Sequence, residues 1–425
     1  MDLKTVGTVF FTFAFIHSFC APLIAKLAVR NQSHSWWQRC LHWLSEVEII
    51  FGFWAFLFLV CMAFALGFAE PFNYVNTLSM TEPIFIFCIM MIASTKPFIW
   101  LAENFILFLS QTFHRMLKIE PVLLQFFFLI TIGPLSGSLI TEPAAMTITA
   151  LLLFQMIQRE RIDKKLLYGI LAILFVNISV GGALTHFAAP PILMVARHWQ
   201  WQWKDVFFNL GVPAIVTVFV NAALFVLFMK KKIISMLMPV DGDRDPMPAW
   251  VAALHIGFLG AVVYYAHQLF IFLLIFALFL IAVSLTKAWQ TKMQFRSAAL
   301  VGVFLASLVI LGTLQSWWLE PLMQKLSGTG LYLSAIGLTA VTDNAALTYL
   351  GSLVPSLTDR SKWALVSGAL AGGGLTILAN APNPAGFAIL HSKFDNSALN
   401  AAELFLAALA PTLVAALSFY FLGNF

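Results

Sequence analysis

Glu142 and Asp343 stand inside stretches that are otherwise apolar, and both stand in the same short context. Thr141-Glu142-Pro143-Ala144-Ala145-Met146-Thr147 recurs as Thr342-Asp343-Asn344-Ala345-Ala346-Leu347-Thr348. A carboxylate in apolar surroundings is expensive unless it is paired, hydrated or protonated. Where either a proton or a monovalent cation can satisfy it, the two compete for the same oxygens, and that competition is the minimum chemistry of ion exchange. A structural reading stands beside this one. Thr141 and Thr342 are N-cap residue types, and an acid in the first turn of a helix suits the helix dipole.

A hard cation needs several oxygen ligands. Thr141, Thr342, Asn344, Thr185, Thr376, Asn380 and Asn383 can supply them, together with backbone carbonyls where helices are interrupted. Each can equally cap, or bond back to, its own helix. Asn177 precedes Thr185 by eight residues and is an accessory candidate, as is His186, placed to sense pH. Lys96 and Glu103 lie on one helical face beside the Ala93-Ser94-Thr95-Lys96-Pro97 interruption. They read as part of an ion path or as a structural pair with snorkelling stems. His17, His255 and His267 read as packed, hydrogen-bonded histidines. The tryptophans at 36, 37, 43, 199, 201 and 203 read as interfacial belts. The sequence contains no P-loop, nucleophile triad, His/Cys metal cluster or cofactor motif. Catalysis and ATP-driven transport therefore have no support, and transported sodium ions and protons are the only ligands expected.

The elements that must position these residues are membrane helices. The chain has 425 residues, 61% apolar and only 10% charged, where an ordinary soluble domain carries roughly 25% charge. A soluble enzyme, a nucleic-acid binder and a disordered scaffold are excluded, and no large soluble domain fits. The formal charge of +5 is what basic loops on one membrane face would give. Four scattered cysteines suggest no disulfide. The first apolar run lacks a cleavage site and reads as a retained helix.

Apolar runs occupy about 5–28, 46–69, 83–112, 121–155, 166–195, 205–229, 250–266, 268–287, 297–317, 321–355, 362–390 and 402–423. The runs 121–155 and 321–355 are too long for one crossing, which takes about 20 residues. Gly133-Pro134 and Thr141-Glu142-Pro143 interrupt the first; Gly328, Gly330 and Thr342-Asp343-Asn344 interrupt the second. The first is flanked by Arg115 and Lys118 before it and by Arg159, Arg161, Lys164 and Lys165 after it. Both ends thus belong on the cytoplasmic side, and the segment between is a re-entrant hairpin, allowed where it is buried in protein. The same rule makes cytoplasmic the loops with Lys26, Arg30 and Arg39; with Lys230–Lys232 and Arg244; with Lys287, Lys292 and Arg296; and with Lys393. This path has about ten crossings, two hairpins and both termini outside.

The two halves repeat. Glu120-Pro121 recurs as Glu320-Pro321, and Gly181-Gly182-Ala183-Leu184-Thr185 as Gly372-Gly373-Gly374-Leu375-Thr376. Proline-rich sequence follows each glycine stretch, at Pro190-Pro191 and at Pro382-Asn383-Pro384, and Asp205 with Pro213 recurs as Glu403 with Pro411. The charges put corresponding elements at opposite faces, so the repeat is inverted. Glycine permits unwinding and proline blocks continuation, so 166–195 and 362–390 read as broken helices. Paired interrupted helices in inverted repeats point to a secondary-transporter site near the midplane. The N-terminal repeat is 1–229, with spans, hairpin 121–155, broken helix 166–195 and span 205–229. A cytoplasmic linker is 230–248. The C-terminal repeat is 249–425, with spans, hairpin 321–355, broken helix 362–390 and span 402–423.

This order of hairpin, Gly-Gly…Thr…Pro broken helix, Trp-rich link and final span resembles the ion-transporter superfamily, which includes divalent-anion/sodium symporters, arsenite permeases and sodium/proton antiporters. Thr342–Thr348 and Gly372–Pro384 look most like its sodium/proton antiporter branch. The resemblance covers nearly the whole chain. It implies an all-α polytopic protein of a bacterial inner membrane, a homodimer, and a transport domain moving as a body against a scaffold. In the dicarboxylate symporters the hairpin tips carry Ser-Asn-Thr. The acids here would repel such a substrate and favour a cation. A sodium-coupled anion symporter is the alternative, with Lys96 as its membrane-embedded basic candidate, and a non-transporting sensor or scaffold is a second. The topology predicts that alkaline phosphatase fused after Phe425 is active, whereas the same enzyme inserted within 230–248 is inactive; the reverse pattern would overturn the assigned orientation.

Overall fold

The computed structural model describes residues 2–30, 40, 43, 44, 46–157, 162–240, 247–266, 268–291, 293–326, 328–394 and 399–423. Arg39, Arg159, Arg161, Arg244, Lys292, His267, Trp36 and Trp37 lie outside them. The described residues form helices joined by short turns. In chain order these are α1 (Leu3–Arg30), α2 (Val47–Leu66), α3 (Glu70–Asn76), α4 (Thr81–Ala93), α5 (Lys96–Leu117), α6 (Pro121–Ile140), α7 (Glu142–Met156), α8 (Lys164–Gly181), α9 (Pro190–Ala196) and α10 (Trp203–Met236). Then follow α11 (Ala249–Tyr264), α12 (Leu269–Leu285), α13 (Phe295–Gly312), α14 (Ser316–Met323), α15 (Thr329–Thr339), α16 (Asn344–Ser352), α17 (Asp359–Gly372), α18 (Asn383–Leu390) and α19 (Ala401–Leu422).

Among the described residues, six helices are long and apolar enough to cross a bilayer: Glu48–Leu66, α6, Lys164–Leu184, α10, Phe295–Met323 and α19. The pair α3 and α4, bent by 73°, makes a seventh if it is one span. The ten crossings expected from the sequence therefore depend in part on shorter apolar helices such as α11 and α12. The run 83–112 is not continuous: it divides at Ser94-Thr95, where Pro97 stands in the first turn of α5. The segment expected as a second hairpin, 321–355, differs more: α15 starts at Thr329, Pro321 lies inside α14 whereas Pro121 opens α6, and α15 and α16 do not pack along each other as α6 and α7 do. Gly328, at φ 50°, sets this later start by taking a left-handed turn that glycine allows.

Two compact units cut across the two sequence halves. The first comprises 1–88, 294–325 and 349–356. Its core is α1, α2 and α13, with Phe51 edge-on to Phe304 at 5.3 Å. Arg296 donates to Glu46, Tyr74 Oη to the Ile310 carbonyl at 2.6 Å, and Trp54 Nε1 to His17 Nδ1 at 3.1 Å.

The second unit comprises 89–293, 326–348 and 357–425, and holds the Thr141-Glu142-Pro143 and Thr342-Asp343-Asn344 turns and both broken helices. Its centre is α8, which is almost wholly buried, whereas α19 is buried along only a minor part of its length. Asp163 caps α8 by accepting from Leu166 N at 2.9 Å, and the Lys232 ammonium at 2.7 Å holds its carboxyl below the usual carboxylate range. Asn177 fastens the middle of α8: it donates to the Ile130 carbonyl of α6 at 2.9 Å and accepts from Asn221 of α10 at 3.0 Å. A π turn at Phe207–Gly211 in α10 meets the break after α8, where a Cβ on Gly211 would lie 3.3 Å from Leu184 Cα. Trp199 and Trp201 depart from the interfacial reading. They pack on the buried core, with Trp201 stacked on Trp363 at 3.6 Å.

Glycines set the closest approaches in this unit. Gly368 and Gly372, one turn apart on α17, seat against α15: a Cβ on each would fall 2.5 Å from the Tyr332 carbonyl oxygen and 2.6 Å from that of Ile336. Small residues at this spacing let membrane helices touch backbone to backbone. Gly337, on the same α15, has nothing within 4 Å of such a Cβ. Gly368→Leu is therefore expected to destabilise the folded protein by about 3 kcal/mol or more, since the clash is with backbone that cannot yield. Gly337→Ala should be neutral or stabilising by roughly 0.5–1 kcal/mol. Thermal unfolding followed by size-exclusion fluorescence checks both, and equal behaviour of the two variants would refute the packing account.

Candidate functional site

The first hairpin turns on a single residue, Thr141, between α6 and α7. Its φ of 75° and ψ of 151° fall in a region populated almost only by glycine. A β-branched residue held there stores roughly 1–3 kcal/mol. The turn survives because its surroundings fix it. Pro143 supplies a preset φ and lacks an N–H that the first helical turn would leave unbonded. Gly137 admits Ala145 across the hairpin, where an added Cβ would lie 3.3 Å away. The Thr141 hydroxyl is buried without a hydrogen-bond partner.

Glu142, the first residue of α7, is fully buried. Its Oε2 accepts from Asn380 Nδ2 at 2.8 Å, and its Oε1 has no hydrogen-bond partner. Gly182 backs it: a Cβ there would stand 2.7 Å from Glu142 Cγ and 2.8 Å from Oε1. The first glycine stretch thus works as a bare wall that lets the carboxyl lie against the broken helix.

The second tip resolves the capping question differently in the two halves. Asp343, not Thr342, caps α16: its Oδ1 accepts from Ala345 N at 2.8 Å and Ala346 N at 3.1 Å. Thr342 instead donates to the Asp343 carbonyl at 3.1 Å. Asn344 donates its backbone N–H to the Ala379 carbonyl at 3.1 Å, which ties the tip to the second broken stretch one residue from Asn380. The Asn344 side chain is buried with neither its oxygen nor its nitrogen bonded. A Cβ on Gly373 would lie 2.9 Å from Asn344 Nδ2, so Gly373 backs Asn344 as Gly182 backs Glu142. The two acids are electrostatic neighbours: the Asp343 charge bears on Glu142.

The two broken stretches are held open by their own side chains. Thr185 donates to the Ser138 carbonyl at 2.6 Å, and Thr376 to the Ala340 carbonyl at 2.8 Å. Each broken helix is thereby tied to the end of the helix that precedes the corresponding tip, α6 and α15. Asn383 donates to the carbonyls of Gly373 and Thr376, both at 2.9 Å, and its Oδ1 stays unbonded. The breaks cross where Ser179 donates to the Leu370 carbonyl at 2.8 Å, and an added Cβ on Gly374 would strike Val176 Cα at 2.4 Å.

The structure thus brings Glu142, Asp343, Asn344, Thr141 and Asn380 together, with Thr342, Thr185, Thr376 and Asn383 shaping the backbone around them. Others stand apart. Asn177 is satisfied within the packing of α8. Glu103 is buried in α5 against a small cavity lined also by Gln125 and Val240. Gln125 lies near the start of α6 and Thr141 past its end, about 24 Å of helix away. Lys96 opens α5 and is half-buried, and His186 is half-buried with its ring square to Phe187. The sequence reading missed Ser138 and Ser179. Ser138 donates to the Gly181 carbonyl at 2.7 Å and accepts from Leu184 N at 2.9 Å, which closes the break after α8. A signal for it existed, since Ser138 and Thr339 both stand three residues before the tip threonine.

Chemically, the cluster offers one buried carboxylate with a free oxygen and unbonded oxygens on Thr141, Asn344, Asn380 and Asn383. These are hard donors suited to a monovalent cation or a proton. No group of three His, Cys, Asp or Glu side chains able to hold a metal ion occurs among the described residues.

No curated protein matches the chain. Among solved structures it is similar to the YdaH transporter of Alcanivorax borkumensis, whose crystal structure is described as having an unusual topology. The identity is 13%, the match covers 98% of this chain and 97% of that one, and the TM-score is 0.44. The model of a family described as "Putative Na+/H+ antiporter" matches residues 2–422. The chain belongs to that family of multi-pass membrane transporters.

Proposed function

We propose that this protein exchanges sodium ions for protons, and that Glu142 is the group on which they compete. The observation that carries the proposal is the state of that carboxyl: fully buried, with one neutral amide on Oε2 and nothing on Oε1. One amide does not offset the burial of a full negative charge, so a bound cation or proton must. The protonated acid is neutral and keeps the Asn380 bond. The ionised acid binds sodium through Oε1, with Thr141 Oγ1 and the side-chain oxygens of Asn344 and Asn380 as further ligands. Either occupant excludes the other.

Asp343 has a different part. One of its oxygens is committed to two helix amides. It fixes the α16 terminus beside Asn344 and adds negative potential that favours a cation in the cluster. Asn380 is the link between the two tips, since it bonds Glu142 and follows the residue that anchors Asn344.

The finer architecture belongs to the same proposal. Two inverted repeats with about ten crossings account for the paired features: Gly182 behind Glu142 and Gly373 behind Asn344, and a threonine in each break tied to the end of the helix that precedes the corresponding tip. The unit that carries the whole cluster is the body that moves to alternate access. A homodimer in a bacterial inner membrane, with both termini outside, completes the reading.

Everted vesicles with a pH-sensitive dye, challenged with sodium, provide the test. Glu142→Gln should reduce the sodium-driven response to background. Asp343→Asn keeps a good capping side chain and should retain exchange with half-saturating sodium raised about tenfold, the equivalent of ~1.4 kcal/mol. A wild-type response in Glu142→Gln would remove Glu142 from the exchange path.

A further inference from the structure

Helices α8, α10 and α19 enclose between them a cavity of about 760 Å³ that the exchange chemistry does not use. Its walls are apolar: Leu224, Phe225 and Phe228 from α10, Leu406, Ala407 and Ala410 from α19. Gly169 on α8 opens the space, because a Cβ there would reach within 2.7 Å of the Phe225 ring. The floor is polar. Asn221 donates to the Pro411 carbonyl at 3.2 Å and to Asn177 of α8 at 3.0 Å.

The rim is charged, and it lies at one level. Lys164 at the start of α8 pairs with Glu403 at the start of α19 at 2.7 Å. Lys232 near the end of α10 pairs with Asp163 at 2.7 Å. Three helix ends are thus pinned together at the basic end, which the positive-inside rule assigns to the cytoplasmic leaflet. Lys165 also lines the rim and makes no ion pair or side-chain hydrogen bond among the described residues. The rim residues that line the cavity, Lys164, Lys165 and Glu403, therefore carry two ammonium groups against one carboxylate.

We infer that this groove binds a bilayer phospholipid with an anionic headgroup, the phosphate at Lys164 and Lys165 and an acyl chain along α10 and α19 toward Asn221. Both ends of the groove are needed for the identification. A soluble phosphate would engage the lysines and leave the apolar walls bare, and a neutral lipid would fill the walls and ignore the lysines. Side chains along the walls face outward, with Phe228 81% and Leu406 66% exposed, as an entry from the surrounding lipid requires. The volume lies within the range of about 300–1,000 Å³ typical of small-molecule pockets. Basic pockets between membrane helices on the cytoplasmic side bind acidic headgroups for the same electrostatic reason. Glu403 competes with the phosphate for Lys164.

Native mass spectrometry of the full chain in detergent, with phosphatidylglycerol and phosphatidylcholine of identical acyl chains, reads this out. The wild type should retain phosphatidylglycerol over phosphatidylcholine by about fivefold or more. Lys165→Gln, at a side chain with no bond to lose, should cut that preference. Glu403→Gln should raise it. Ala410→Trp, which fills the groove, should lower retention of both lipids. Equal retention of the two lipids by the wild type would overturn the proposal. So would an unchanged preference in Lys165→Gln, or displacement of phosphatidylglycerol by millimolar inorganic phosphate, which would identify a soluble anion site instead.

Discussion

The hydrogen bond from Asn380 Nδ2 to Glu142 Oε2, 2.8 Å long, joins residues 238 apart in the chain. A buried carboxyl in an apolar unit cannot stand alone, and this amide is its one protein partner among the described residues. Much of the surrounding structure is what the bond demands. Gly182 has no side chain because the carboxyl lies where one would be. Thr141 accepts an unfavourable backbone so that Glu142 starts a helix at the tip and points across to the other half. Asn383 folds the second broken stretch so that Asn380 can reach.

The contacts around this bond show how the fold tolerates so much irregular backbone at depth. Several carbonyls and amides freed by the breaks are met by short side chains close by: Ser138 at Gly181 and Leu184, Asn383 at Gly373 and Thr376, Ser179 at Leu370. Nonhelical backbone survives among membrane helices where such partners replace water. Among the buried side-chain oxygens left without a hydrogen bond in the described residues, those on Glu142, Thr141, Asn344, Asn380 and Asn383 belong to the candidate cluster; others, on Thr149, Gln290, Thr339, Ser367 and Thr412, lie elsewhere in the chain.

Much of this could be read from the sequence, because its grammar is that of glycine, proline and rare charge. The membrane class, the first hairpin, both breaks and the two acids follow from residue types whose physical effects are strong and local. The segment expected as a second hairpin was less legible, and α15 and α16 do not pack along each other as α6 and α7 do. Glu320-Pro321 copies Glu120-Pro121, yet Pro321 sits inside α14, since the chain between can turn at Gly328 instead. The difference between the acids was not legible at all. Whether a carboxyl caps its own helix or reaches across to another depends on a partner at Asn380, and the corresponding position in the first half is Ala189. Ser138 and Asn221 escaped for a similar reason: a hydroxyl or amide in an apolar run is ordinary until the backbone it serves is seen to be broken.

The distance in sequence between Glu142 and Asn380 has a bearing on how the protein is made. Membrane chains enter the bilayer from the N-terminus onward, at about 5–20 residues each second. The 238 residues between the two partners then take on the order of ten to fifty seconds to emerge. For that interval the nascent first half holds a carboxyl destined for burial and no amide to receive it. Glu142 must wait as the neutral acid or in contact with water, and the hairpin around it can close for good only once Asn380 has arrived. Protonation or hydration of this carboxyl is therefore a condition that biosynthesis itself imposes.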